Sequence, residues 1–263
     1  MSTPVVAGFS LTNRLLIYFN FLLAPAHLLA GGEITLPEKL RYLRYFPSNL
    51  GFLAYDCYQQ VLWYKAINTE EIHALSLVIA YLNAMYAITY LAGLSAANHL
   101  YFSLQALGVA GMLTINAISG WINCTQNLPK GDGVYRFWFF GWRRLSEGWR
   151  GLAIFIQVLI TLGSLILAIV VIILARRHSQ FMGKYAKEQG EPWGKWWRIG
   201  AIALLTLIVL IFGWPLALWM ELVVLKNGLV SETDWVAVYL FIAQVVMMII
   251  PGFVVTVAAH LTD

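Results

Sequence analysis

The sequence predicts an all-α, polytopic transmembrane helical bundle of seven spans, or of six if its second apolar segment lies at the membrane interface. Three observations carry this. Of the 263 residues, 60% are hydrophobic and 11% charged, against roughly 25% charged in an ordinary soluble domain. The apolar residues come in blocks of about 20, the length at which a helix crosses a roughly 30 Å hydrocarbon core. Connections such as 93–98 are short, so sequence neighbours should pack antiparallel. One integral membrane domain over 1–263 follows, without internal repeats, low-complexity tails or a soluble domain.

The first block is 11–30. Its apolar part behind Arg14 resembles a signal sequence, but no small-residue cleavage pattern follows, so it reads as the first span. The second, 46–66, is the weakest because it contains Asp56, Gln59 and Gln60. The remaining blocks fall at 72–96, 100–121, 150–175, 197–225 and 235–260. Between the fourth and fifth, an amphipathic helix near 134–149 is expected to lie on the membrane. It would gather Tyr135, Trp138, Phe139, Trp142, Leu145 and Trp149 on one face, with Arg136, Arg143, Arg144 and Glu147 mostly turned away. Trp193, Trp196 and Trp197, behind Pro192, form an aromatic belt at the start of the sixth span.

Orientation follows from basic residues and one tripeptide. Lys and Arg divide nine against eight between the two faces, so the positive-inside rule is nearly silent. The densest basic connection, 176–198, suits the cytoplasm, and Asn123-Cys124-Thr125 is a glycosylation acceptor pattern suited to the outer or lumenal side. Together they place the N-terminus outside or in the lumen of a plasma membrane or endomembrane, and the C-terminus in the cytoplasm.

Charge inside a span is costly and marks a candidate site. Asp56 shares a helical face with Asn49, Gln59, Gln60 and Trp63, a stripe that must meet protein or water. Asn83, Tyr86 and Tyr90 give the third span a similar face, and Gln105, Gly108, Met112 and Asn116 the fourth, where Gly108 and Gly111 permit close helix approach. Gln157, Thr161 and Ser164 supply the polar side chains of the fifth span, Glu221 that of the sixth and Gln244 that of the seventh. Under the alternating topology, Asp56, Asn83 and Gln244 lie near mid-membrane and Gln59, Gln60, Asn116, Gln157 and Glu221 in the outer half, so one cavity could collect them. Arg14 is the counter-charge best placed for Glu221 or Asp56. For any single amide or hydroxyl, interhelical packing is the commoner role.

Several functions are excluded. The last span has no lysine for a retinal Schiff base, and histidine boxes, phosphate-cradling glycine loops and a GxSxG elbow are absent. His27, His99 and His260 lack metal-ligand spacing, so no metal or cofactor is expected. The net charge of +4 is not gathered into a nucleic-acid patch, and membrane lipids are the expected partners. Three classes remain. The favoured one is a membrane enzyme acting by acid catalysis on a lipidic or isoprenoid substrate. In it, protonated Asp56 is the donor, Glu221 or a glutamine stabilises charge, and Trp63, Tyr86, Tyr90, Trp214 and Trp219 line the pocket with Gln59, Gln60, Asn83, Asn116, Gln157 and Gln244. The others are a transporter or channel with helices broken at Pro25, Pro215 and Pro251, and a receptor-like or accessory subunit whose polar stripes only pack helices.

Overall fold

The computed structural model describes residues 3–5, 7–30, 46–69, 99–188 and 213–262, with a few isolated positions between 200 and 211. The expectations for 72–96, with Asn83, Tyr86 and Tyr90, and for most of 189–212 lie outside these residues.

The described chain is mostly helical, with six α-helices. They are α1 (Leu11–Ala30), α2 (Phe46–Thr69), α3 (His99–Ile122), α4 (Glu147–Glu188), α5 (Trp214–Asn227) and α6 (Trp235–Thr262). α2 is the centre of the packing, flanked by α3 and α6; α4 packs on the far side of α3, and α1 against α6. Two described stretches, Ala106–Gly131 and Glu147–Ile173, are long and apolar enough to cross a membrane.

Glycines set two of these contacts. A Cβ on Gly51 of α2 would stand 3.0 Å from the Gln244 Cα of α6, and one on Gly108 of α3 would stand 2.8 Å from Leu53 Cδ2 of α2. The backbones therefore approach where side chains are missing, as small residues allow. Gly111, expected to do the same, faces open space.

The helices are apolar outside and polar inside. In α1, Asn13, Arg14 and Asn20 are buried while Leu11, Leu15 and Phe19 are exposed; in α4, Gln157 is buried and Phe155, Leu159, Leu162 and Ile166 are exposed. α6 repeats the pattern with buried Gln244 and exposed Tyr239, Ile242 and Ile249. Water would favour the reverse by about 25 cal/mol per Å² of apolar surface.

One end of the bundle carries a folded cap. There β1 (Thr3–Val5) pairs in parallel with β4 (Leu229–Ser231), Thr3 opposite Leu229 and Val5 opposite Ser231. A π-turn at Asn123–Asn127 and a 3₁₀ turn at Leu128–Gly131 extend α3. Ile17, Trp63, Cys124, Leu128, Tyr135, Leu145, Met220 and Val223 form the apolar core of this end.

The cap corrects the expected amphipathic helix over 134–149. That segment is instead an antiparallel hairpin, β2 (Arg136–Trp138) with β3 (Trp142–Arg144), Arg136 opposite Arg144 and Trp138 opposite Trp142, before α4 begins at Glu147. Gly133 and Gly141 take φ of 71° and 132° and Phe140 takes 47°, values outside the right-handed helical region. The spacing that imitates a helical face arises because Tyr135 and Leu145 turn inward at the hairpin base while Trp138, Phe139, Phe140 and Trp142 are exposed around its tip. Asp132 pairs with Arg150 at 3.1 Å beneath it.

Two further expectations change. The basic connection over 176–198 is helical as far as Glu188, so α4 has 42 residues, or about 63 Å at the α-helical rise. Pro25 and Pro251 lie inside α1 and α6, which run on without a break, and Pro215 occupies the first turn of α5, where a missing backbone N–H costs no hydrogen bond.

Candidate functional site

Asp56 is fully buried at the middle of α2. It lies seven residues, about 10 Å along the helix axis, below Trp63 of the cap core. From α1, Asn20 Nδ2 donates to Asp56 Oδ1 at 3.3 Å, and from α6, Gln244 Nε2 donates to Asn20 Oδ1 at 2.5 Å. A chain of three side chains thus ties three helices at one level. Asp56 Oδ2 and Gln244 Oε1 have no hydrogen-bond partner among the described residues. Tyr55, beside the acid, packs edge-on against Phe241 of α6 with ring centroids 5.7 Å apart.

One turn nearer the cap, Asn116 Nδ2 of α3 donates to Gln60 Oε1 of α2 at 3.1 Å, with both residues buried. Gln59 is buried beside Gln60. Asp56, Gln59 and Gln60 follow the three- and four-residue spacing of a helical face, so the sequence stripe is a real inward face of α2.

Glu221 and Arg14 form a separate centre. Arg14 Nε meets Glu221 Oε1 at 2.7 Å and Nη2 meets Oε2 at 2.9 Å, while Tyr18 Oη donates to Oε1 at 2.8 Å. Arg14 Nη1 also donates to the Phe9 carbonyl. Both carboxylate oxygens are occupied by α1, so Glu221 is an ion-pair partner joining α5 to α1. The expected counter-charge pairing holds for Glu221 rather than Asp56.

The other candidates disperse. Gln157 leaves the α2 face and reaches from α4 to the Ala117 carbonyl of α3 at 3.3 Å, lying over Gly120, whose missing Cβ would fall 2.2 Å from its Nε2. Trp63 belongs to the cap core, edge-on to Phe9 at 4.2 Å. Trp214 is exposed at the start of α5, and Trp219 Nε1 donates to the Trp138 carbonyl at 2.9 Å, bracing the hairpin. Among the described residues, these polar side chains fall into several clusters. Asn123 is corrected as a glycosylation acceptor: its side chain is fully enclosed in the π-turn, where a glycan has no room. Orientation then rests on the basic 176–198 segment alone.

Sequence reasoning missed Asn13 and Asn20. Spaced seven apart, they form with Ile17 the buried face of α1, and the periodicity argument applied to α2 identifies them when applied to α1. At the rim, Asn13 Nδ2 donates to the Asp234 carbonyl at 3.0 Å, the Asp234 N–H donates to Asn13 Oδ1 at 2.9 Å, and Tyr58 Oη donates to Asp234 Oδ2 at 2.7 Å. Asp234 also caps α6 by accepting the Val236 N–H at 2.9 Å.

Comparison with known proteins finds no matching family model, no matching curated protein and no matching solved structure. Among the described residues, no group of three or more His, Cys, Asp or Glu side chains is placed to hold a metal ion.

Proposed function

We propose that this chain is a seven-span integral membrane protein working as an enzyme on a lipidic or isoprenoid substrate, with Asp56 as the intramembrane proton donor. The observation that carries the reading is the state of Asp56: enclosed, held through one oxygen by Asn20, and with its other oxygen unpartnered among the described residues. A carboxyl so placed is expensive unless it is neutral or has a task. When it is neutral, the oxygen accepting from Asn20 is the carbonyl oxygen and Oδ2 carries the proton. Gln244 fixes Asn20, which fixes the carboxyl, so the donor is aimed before substrate arrives. Tyr55 and Phe241 offer aromatic faces to a developing cation.

The membrane part of the reading draws on the inside-out distribution of side chains on α1, α4 and α6 and on the length of α4, which exceeds a roughly 30 Å hydrocarbon core and carries the basic 176–188 segment beyond it. On this reading the cap lies on the outer or lumenal side and the C-terminus is cytoplasmic.

Mass spectrometry of small molecules retained by the purified protein, wild type against Asp56→Asn, tests the reading. A specific lipidic ligand in one protein that is lost or chemically altered in the other supports it. Bulk phospholipid in both, with a mutant that is merely less stable, makes Asp56 a packing element and sinks the enzyme.

A second reading, a proton-coupled transporter, draws on the contact chain through α1, α2 and α6, because a charge change at Asp56 would be felt by three helices at once. It requires pH-dependent flux in liposomes that Asp56→Asn abolishes.

A further inference from the structure

The π-turn at Asn123–Asn127 ends a stripe of buried polar groups that the Asp56 site does not account for. On α3, Asn116, Ser119 and Asn123 follow one another at three- and four-residue spacing, which puts them on one helical face. All three are buried, and Asn116 Oδ1, Ser119 Oγ and both side-chain polar atoms of Asn123 have no hydrogen-bond partner among the described residues. The Asn116 to Gln60 hydrogen bond at 3.1 Å joins this stripe to the α2 face that descends through Gln59 to Asp56, whose Oδ2 is likewise unpartnered. At its upper end, Thr125 and Gln126 are exposed at the rim of the cap.

Each such atom, left dry, carries an uncompensated desolvation penalty, and stacking several of them on joined faces would concentrate that cost. Water with two to four polar neighbours removes it.

We propose that the α2–α3 seam holds a file of water molecules running from the cap rim at the π-turn past Asn123, Ser119 and Asn116 to Asp56, through which the acid exchanges protons with the cap side. This deepens the Asp56 reading and rests on it for the proton that is exchanged. It also distinguishes the faces of the protein: Asp56 is open to protons from the cap side.

The test is the reaction of introduced thiols with silver ion, which is of about the size of a water molecule and reacts with hydrated thiols. Ser119→Cys, Asn123→Cys and, as a dry control, Val223→Cys are placed one at a time in a Cys57→Ser, Cys124→Ser background, in sealed membrane vesicles of each orientation. Val223 of α5 is buried in the apolar core of the cap, off the α2–α3 seam. The proposal expects Ser119→Cys and Asn123→Cys to react about a hundredfold faster than Val223→Cys, since only a hydrated thiol ionises readily, and to do so from the cap side. Reaction no faster than the control, or only from the opposite side, overturns it. Ser119→Cys is nearly isosteric and decides alone if Asn123→Cys does not fold. A dry seam beside an Asp56 whose replacement changes the bound molecule sinks only the water file. A wet seam beside an Asp56 whose replacement changes nothing sinks only the enzyme reading.

Discussion

Arg14 in α1 and Glu221 in α5, 207 residues apart in sequence, meet through two parallel contacts of 2.7 and 2.9 Å. Arg14 is almost wholly buried, whereas about a third of the Glu221 side chain remains exposed, and the pair fixes the first helix to the short helix beneath the hairpin. Its worth lies in what breaking it leaves behind: Glu221 keeps partial access to solvent, but Arg14 does not.

Glu221→Leu should therefore be the more damaging single change. It leaves a buried guanidinium with only the Phe9 carbonyl from its present set, at a cost of about 3 kcal/mol, while Arg14→Met should cost about 2 kcal/mol. The double variant should recover part of the sum. Thermal unfolding of the detergent-solubilised proteins, arranged as a double-mutant cycle, reads this directly, and strict additivity would mean that the pair does not couple.

Gly120 and Gly111 of α3 should respond oppositely to alanine. At Gly120 the added methyl meets the Gln157 amide at 2.2 Å and drives it off the Ala117 carbonyl, for a loss of about 1–2 kcal/mol. At Gly111 nothing lies within 4 Å, and alanine should be neutral or stabilising by up to about 1 kcal/mol through helix propensity. Equal melting temperatures for the two variants would refute the seating of Gln157.

Asn20→Leu removes the amide that holds Asp56 Oδ1 and accepts from Gln244. We expect a loss of roughly 1–3 kcal/mol in stability and weakened retention of the bound molecule, without the chemical alteration expected of Asp56→Asn. Retention identical to wild type would show that Asn20 does not position the acid.

The hairpin tip should dip past the lipid headgroups to the edge of the hydrocarbon core. Phe140 is 85% exposed, with Trp138 and Trp142 at either side and Lys226 Nζ 5.1 Å from the Trp142 ring centre, the mixture of aromatic and basic groups that favours an interface. A spin label on Phe140→Cys should be more accessible to oxygen than to a polar nickel reagent. The opposite ratio places the tip in water.

Asn123→Gln should leave electrophoretic mobility unchanged in a glycosylating host, because the wild-type side chain is enclosed. A mobility shift would restore the acceptor and, with it, the argument for a lumenal cap.

Much of this was legible in the sequence. The limits of α1, α2, α3 and α6 fall within a few residues of the apolar blocks, because block length and helix length answer to the same 1.5 Å rise. The inward face of α2 was readable too, since Asp56, Gln59, Gln60 and Trp63 keep helical spacing. Which partner each face meets was not. Asn20 is an ordinary polar residue in sequence and becomes the holder of Asp56 only because α1 and α6 meet α2 at the same height; Gln157 has the same residue type as Gln60 and points into a different seam.

The hairpin was misread because spacing alone cannot distinguish a helical face from a turn whose ends point in and whose tip points out. Glycine φ angles and strand pairing, both set by the surrounding cap, made that choice. The sequence by itself determined the helices, their apolar blocks and the need to shelter an acid, since these follow from local periodicity and transfer free energy. Only the tertiary structure decided that Arg14 serves Glu221 and that Asn20 serves Asp56. Such pairings depend on the rotation and relative height of separate helices, which are fixed by close approach at residues such as Gly51 and Gly108 rather than by any stretch of sequence alone.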